Sequence, residues 1–257
     1  MKRFNIITLL SGMLLTALGI VLVCLTQSAA LAESADSAQT IPFAMSLILI
    51  LAGIVTAIIS LLPERKATNV RTLAMAALFA ALCYIGFTYC KIDIPVGAEK
   101  TAFHLGNVFC VLAALFIGGF WGGMAGAVGM TIADLTTAYV TSAPKTFVLK
   151  LGIGLIVGFF AHKVFKLSKD GAHKLPLPIA TVLSCAAGMA FNIVADPLVG
   201  YFYKMYVLGV PQEAASIWVK IGAVTTSVNA VIAVIAASIF YLALRPALKK
   251  SNLLPKT

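Results

Sequence analysis

Eight stretches of the 257-residue chain stay apolar long enough to cross a bilayer: roughly 5–26, 42–62, 71–89, 104–120, 121–140, 145–163, 177–199 and 217–244. About 20 residues of helix span about 30 Å of hydrocarbon. The pattern therefore predicts an all-α integral membrane protein with about eight transmembrane helices. Residues 104–140 are almost uninterrupted, but Gly118, Gly119, Gly122 and Gly123 around Trp121 mark a tight turn and divide the block into two helices.

Polar positions divide the chain again. Residues 1–62 read as two plain apolar helices joined by a loop rich in Ser and Ala, and 63–70 as a polar cytoplasmic linker. Residues 71–245 hold six helices, most of the glycine clusters and the interior charges, so function is expected there; 246–257 form a tail. Lys2-Arg3, the first apolar run and Ala30-Leu31-Ala32 also resemble a secretory signal with a cleavage site. The run is longer than the usual core of about 7–15 residues, which favours a retained helix and leaves cleavage at Ala32 open.

Composition agrees with the membrane reading. Hydrophobic residues make up 61% of the chain and charged ones 11%, and mean hydropathy is +1.01. A soluble domain holds about 45–50% apolar and about 25% charged residues. The net charge of +10 would suggest nucleic acid in a soluble protein, but here the position of the charges matters more. With the N-terminus inside, thirteen Lys and Arg fall in inner segments and four (Lys91, Lys100, Lys145 and Lys204) in outer loops. The expected location is the cell membrane, with both termini cytoplasmic.

No catalytic constellation is present. His104, His162 and His173 are far apart, the five cysteines are scattered singly, and there is no HExxH, GxSxG or phosphate loop ending in Gly-Lys-Ser/Thr. Neither a metal nor a cofactor is expected, and active transport would need a partner or an ion gradient.

The informative residues are polar groups inside spans, each charge costing about 2.5–3.5 kcal/mol at the bilayer centre. A hairpin brings Asp134 and Lys150 to similar depth, as a ligand-facing wall or as a structural ion pair. Asn192 and Asp196 share a face at i, i+4, with Pro197 expected to end or bend their helix. His104 and Asn107, at i, i+3, are expected to share a face where the fourth span opens. Asn229 lies mid-span in the last helix. Any one of these could be interhelical glue worth about 0.6 kcal/mol. Together they favour the outer half of the six-helix part, where a pocket facing outward would lie. Loops 91–101 and 201–216 could close over it, although the aromatics of the second loop, like Trp218, could instead be interfacial belt residues. Ala76, Ala77, Ala80 and Ala81 form a smooth strip that is either tight packing or a docking surface.

Three runs carry a resemblance: the alanine strip Ala74-Met-Ala-Ala-Leu-Phe-Ala-Ala-Leu, His104-Leu-Gly-Asn107 followed by Gly118-Gly-Phe-Trp-Gly-Gly-Met-Ala-Gly126, and Ala133-Asp134 with Ala143-Pro-Lys-Thr-Phe-Val-Leu-Lys150-Leu-Gly152. Residues 70–245 resemble the substrate-binding S component of energy-coupling factor (ECF) transporters, most of all the riboflavin and hydroxymethylpyrimidine types. The resemblance implies a subunit without ATPase activity that captures a small vitamin or precursor in its outer half. It further implies delivery with a T-type membrane subunit and two ATP-binding subunits, the T subunit docking on Ala76, Ala77, Ala80 and Ala81. His104, Asn107, Asp134, Lys150 and Asn192 are the expected ligand contacts. The helices in 1–62 depart from the six-helix pattern. The competing readings are a solitary ion- or proton-coupled carrier using Asp134 or Asp196, and a membrane scaffold without transport.

Overall fold

A computed structural model describes residues 70–96, 99–168 and 175–251, within a compact unit that begins at Asn69. The two helices expected in 1–62 and the linker lie outside the described residues. Six helices follow in order: α1 (Val70–Thr88), α2 (Gly106–Ile117), α3 (Gly119–Leu135), α4 (Ala143–Gly158), α5 (Leu177–Phe202) and α6 (Gln212–Lys250). Between α1 and α2 runs an antiparallel hairpin, β1 (Lys91–Val96) paired with β2 (Glu99–His104). The chain is thus helical, as its hydropathy pattern predicts, with a small sheet where a loop was expected.

By length and composition, α1, α4 with its continuation to Val164, α5 with its continuation to Val207, and α6 can each cross a membrane. Helix α2 cannot do so alone, since its 12 residues rise about 18 Å. Sequence placed 104–120 in that span. His104 instead ends β2, and Gly118, at φ 87°, closes the helix after Ile117. Every residue of α2 except Phe109 is buried, which suits a helix that is apolar all round.

Helix α3 packs against α1, α2 and α4, and its glycines allow this. A Cβ at Gly154 of α4 would collide with the backbone of Gly123, and one at Gly129 with the carbonyl of Ala80 on α1. Lipid is as apolar as the helix surface, so close van der Waals contact is the main source of helix association. The same contact splits the alanine strip. Ala76 is 7% exposed and Ala80 half-buried, whereas Ala77 and Ala81 face outward. Pro197 does not end its helix: α5 runs on to Phe202 and a wider π turn follows at Tyr203–Val207. Transmembrane helices tolerate proline because neighbouring groups re-satisfy the freed backbone.

At the end of the bundle away from the hairpin, the Arg245 guanidinium donates to the Leu167 carbonyl at 2.9 Å, and the His162 ring binds the Ala114 carbonyl at 3.0 Å. The first bond serves a loop carbonyl, and the second adds to the Gly118 N–H that already caps Ala114 at the end of α2.

Replacing Gly154 with Leu forces α3 and α4 apart. We expect a loss of at least about 1–3 kcal/mol, the usual cost of overpacking, read as a lower melting temperature and less monodisperse protein in detergent. Gly222→Ala, where an added methyl meets nothing within 4 Å, is the matched control and should leave both unchanged.

Candidate functional site

A cavity of about 150 Å³ opens among the hairpin, α2, α3, α4, α5 and α6. His104, Asn107, Asp134, Lys150 and Asn192 all line it, so the structure brings the five sequence-derived positions to one place. Asn107 and Asn192 are each 2% exposed and Lys150 is 7% exposed. His104 Nδ1, Asn107 Oδ1 and Asn192 Oδ1 are buried without a hydrogen-bond partner. A buried polar atom left unpaired costs about 1–3 kcal/mol, and here three of them converge on one cavity.

The detailed pairing departs from expectation in two places. Lys150 and Asp134 do not form the ion pair that the hairpin suggested. Asp134 instead accepts a hydrogen bond from Thr146, one turn before Lys150 on α4, which takes the carboxylate oxygen facing that helix. His104 and Asn107 do not share a helical face, because one ends β2 and the other sits in the first turn of α2. They still reach the same cavity across Leu105, whose N–H bonds the carbonyls of Gly86 and Cys90.

The ion pair that does form is Lys145–Asp196, at 2.9 Å, with both side chains mostly buried. Thr226 donates to the other oxygen of Asp196 at 2.7 Å. One carboxylate therefore joins α4, α5 and α6 beside the cavity. No spacing in the sequence announces this tie, since Lys145 and Asp196 stand 51 residues apart. Trp218, expected from sequence as an interfacial belt residue, instead lines the cavity from α6, with the Lys204 ammonium 4.3 Å from its ring centroid.

The hairpin is held by side chains from two sides. Asn229 of α6 accepts from the His104 N–H at 3.0 Å and donates to the Ala102 carbonyl at 2.9 Å. Its amide thus mimics a neighbouring strand along the free edge of β2. On the other side Tyr139 donates to Asp93 at 2.9 Å, and Lys91 lies 4.9 Å from the Tyr139 ring centroid. Phe87 packs edge-on to both His104 and Tyr139.

Asn229→Ala removes both bonds to β2. Hydrogen exchange at the Ala102–His104 amides should quicken at least tenfold, as about 1.4 kcal/mol requires, while exchange within α2 and α3 stays as in the parent. Unchanged exchange in β2 would show that the hairpin is held by its aromatic side alone.

Comparison with known proteins adds identity to this geometry. Residues 66–246 match the family model described as the ECF-type riboflavin transporter, S component. An uncharacterized protein of Pyrococcus woesei, described as lying in a gap 3′ region, is 36% identical over 70 residues. Those residues are 27% of this chain and 47% of that relative, so the chain spans about half the length of the curated relative it matches. No solved structure matches the chain. A helical bundle with a polar cavity near one end, matched across most of its length by one family, leads to a single conclusion: the chain belongs to the ECF-type transporter S-component family.

Proposed function

We propose that this chain is the substrate-capturing subunit of an ECF-type importer. It would bind a small vitamin or vitamin precursor, of the riboflavin, pyridoxine or pyrimidine kind, in the cavity beside the hairpin. A T-type membrane subunit and two ATP-binding subunits would then drive its release inward. The observation that carries the reading is the convergence of three buried, unpartnered polar atoms, on His104, Asn107 and Asn192, around one cavity. Fixed polar groups in an otherwise apolar wall are what orient a small ligand. The two termini are cytoplasmic in this reading, and the hairpin side faces outward, in keeping with the distribution of Lys and Arg.

Within the site, Asn107 and Asn192 would read hydrogen-bonding groups on the ligand, His104 would contact its ring edge and Lys150 an acceptor or acidic substituent. Asp134 would act through Thr146. Ala77 and Ala81, the outward half of the alanine strip, are the better placed to meet a T subunit; Ala76 and Ala80 would support the helix from behind. An ion-coupled carrier would need Asp134 or Asp196 as a relay, and both carboxylates are already engaged by protein donors.

Two measurements test the reading. A mild-detergent pull-down of the tagged chain from its own membranes should recover a T-type subunit with two ATPases, and repeated recovery of neither would favour the ion-coupled carrier. For the ligand recovered with the protein, Asn107→Ala and Lys150→Ala should each weaken binding at least tenfold, about 1.4 kcal/mol, without loss of folded protein. Unchanged affinity in both variants would remove these residues from the site.

A further inference from the structure

The charges around the cavity are unequal. Lys100, Lys145, Lys150 and Lys204 line it against Asp134 and Asp196, so four positive groups meet two negative ones. Both carboxylates are occupied, Asp134 by Thr146 and Asp196 by Lys145 and Thr226. Lys145 is neutralised by its partner, and Lys204 stands over Trp218. Lys150 differs from these. It is 7% exposed, it lies in the cavity wall, and neither aspartate makes an ion pair with it. An ammonium held inside a protein without a direct counter-charge is costly unless something supplies one.

The lining shows what could supply it. A cavity of about 150 Å³ is the size of an engineered cavity that takes up benzene, and sites for drug-sized ligands run from about 300 to 1,000 Å³. A single ring fits that space, and the open side of the cavity lets a larger ligand extend beyond it. Asn107 and Asn192, whose amides can present either oxygen or NH₂, remain to recognise the rest of the ring.

We infer that the ligand of this cavity is an anion bearing a carboxylate or phosphate, whose negative group sits against Lys150. The inference rests on the functional reading above and narrows it: a neutral tricyclic vitamin would satisfy that reading but not this one. The charge-assisted contact to Lys150 supplies the missing counter-charge.

Matched pairs of ligands test charge separately from shape. The full-length chain in detergent is titrated with nicotinate against nicotinamide, pyridoxal phosphate against pyridoxal, and riboflavin. In at least one pair the anion should bind at least tenfold tighter than its neutral partner, and the pair that discriminates identifies the carboxylate or the phosphate. Lys150→Met should abolish that preference by weakening the anion at least tenfold more than its neutral partner, and Lys150→Arg should retain it. A variant that merely unfolded would lose both members equally, and the Arg variant then still reports on charge. Neutral members binding as tightly as anions, or a preference that survives Lys150→Met, overturns the inference. Riboflavin binding above every single-ring probe also overturns it and leaves the importer reading intact. If no probe binds, the inference falls, and the pull-down alone decides whether the importer reading stands.

Discussion

Asp196 accepts an ammonium from α4 and a hydroxyl from α6 while standing on α5, and the cavity depends on that three-way tie. Breaking such a buried pair by removing one partner costs about 3–5 kcal/mol, because the other charge is left without compensation. The pair matters less for the stability it adds than for the positions it fixes. Lys150, one and a half turns beyond Lys145 on the same helix, is held at the cavity wall by the tie that holds Lys145. Asn192, one turn before Asp196, is fixed in the same way on α5.

The two ends of the bundle are held together by different physics. Near the Gly118 turn, α3 and α4 touch through glycines, and contact is made by backbone atoms with nothing polar between them. Near the hairpin the helices are joined by Asp134–Thr146, Lys145–Asp196–Thr226 and Asn229 with β2. Close glycine packing leaves no room for a ligand. Polar ties hold helices apart by the length of their side chains, and space remains between them. The cavity at the hairpin end follows from that contrast.

Much of this arrangement is legible in the sequence. Long apolar runs announce α1, α4, α5 and α6, and Gly118 announces the turn before α3. The five candidate residues could be found one by one because a polar group inside an apolar run is conspicuous. Their pairings could not. Asp134 had two possible donors on α4, Thr146 and Lys150, and spacing alone does not say which is nearer. The hairpin was hidden for a different reason. Lys91-Ile92-Asp93-Ile94-Pro95-Val96 alternates as a strand does, yet it is short and contains Pro95, and a single hairpin is marginal without outside support. That support comes from Asn229, 125 residues from His104.

Asn229 also connects the cavity to the rest of the molecule. Its amide holds the backbone of the strand that carries His104, while the imidazole of that residue leaves Nδ1 unpaired beside the cavity. A ligand that bonds this ring adds a second attachment between the hairpin and the helices, alongside the first. The two attachments act on neighbouring atoms of one residue, so they reinforce each other: each reduces the freedom the other would have to remove. The hairpin therefore belongs to the binding surface itself, and its hold on α6 sets how much of the ligand's binding energy is spent on ordering the wall that contacts it.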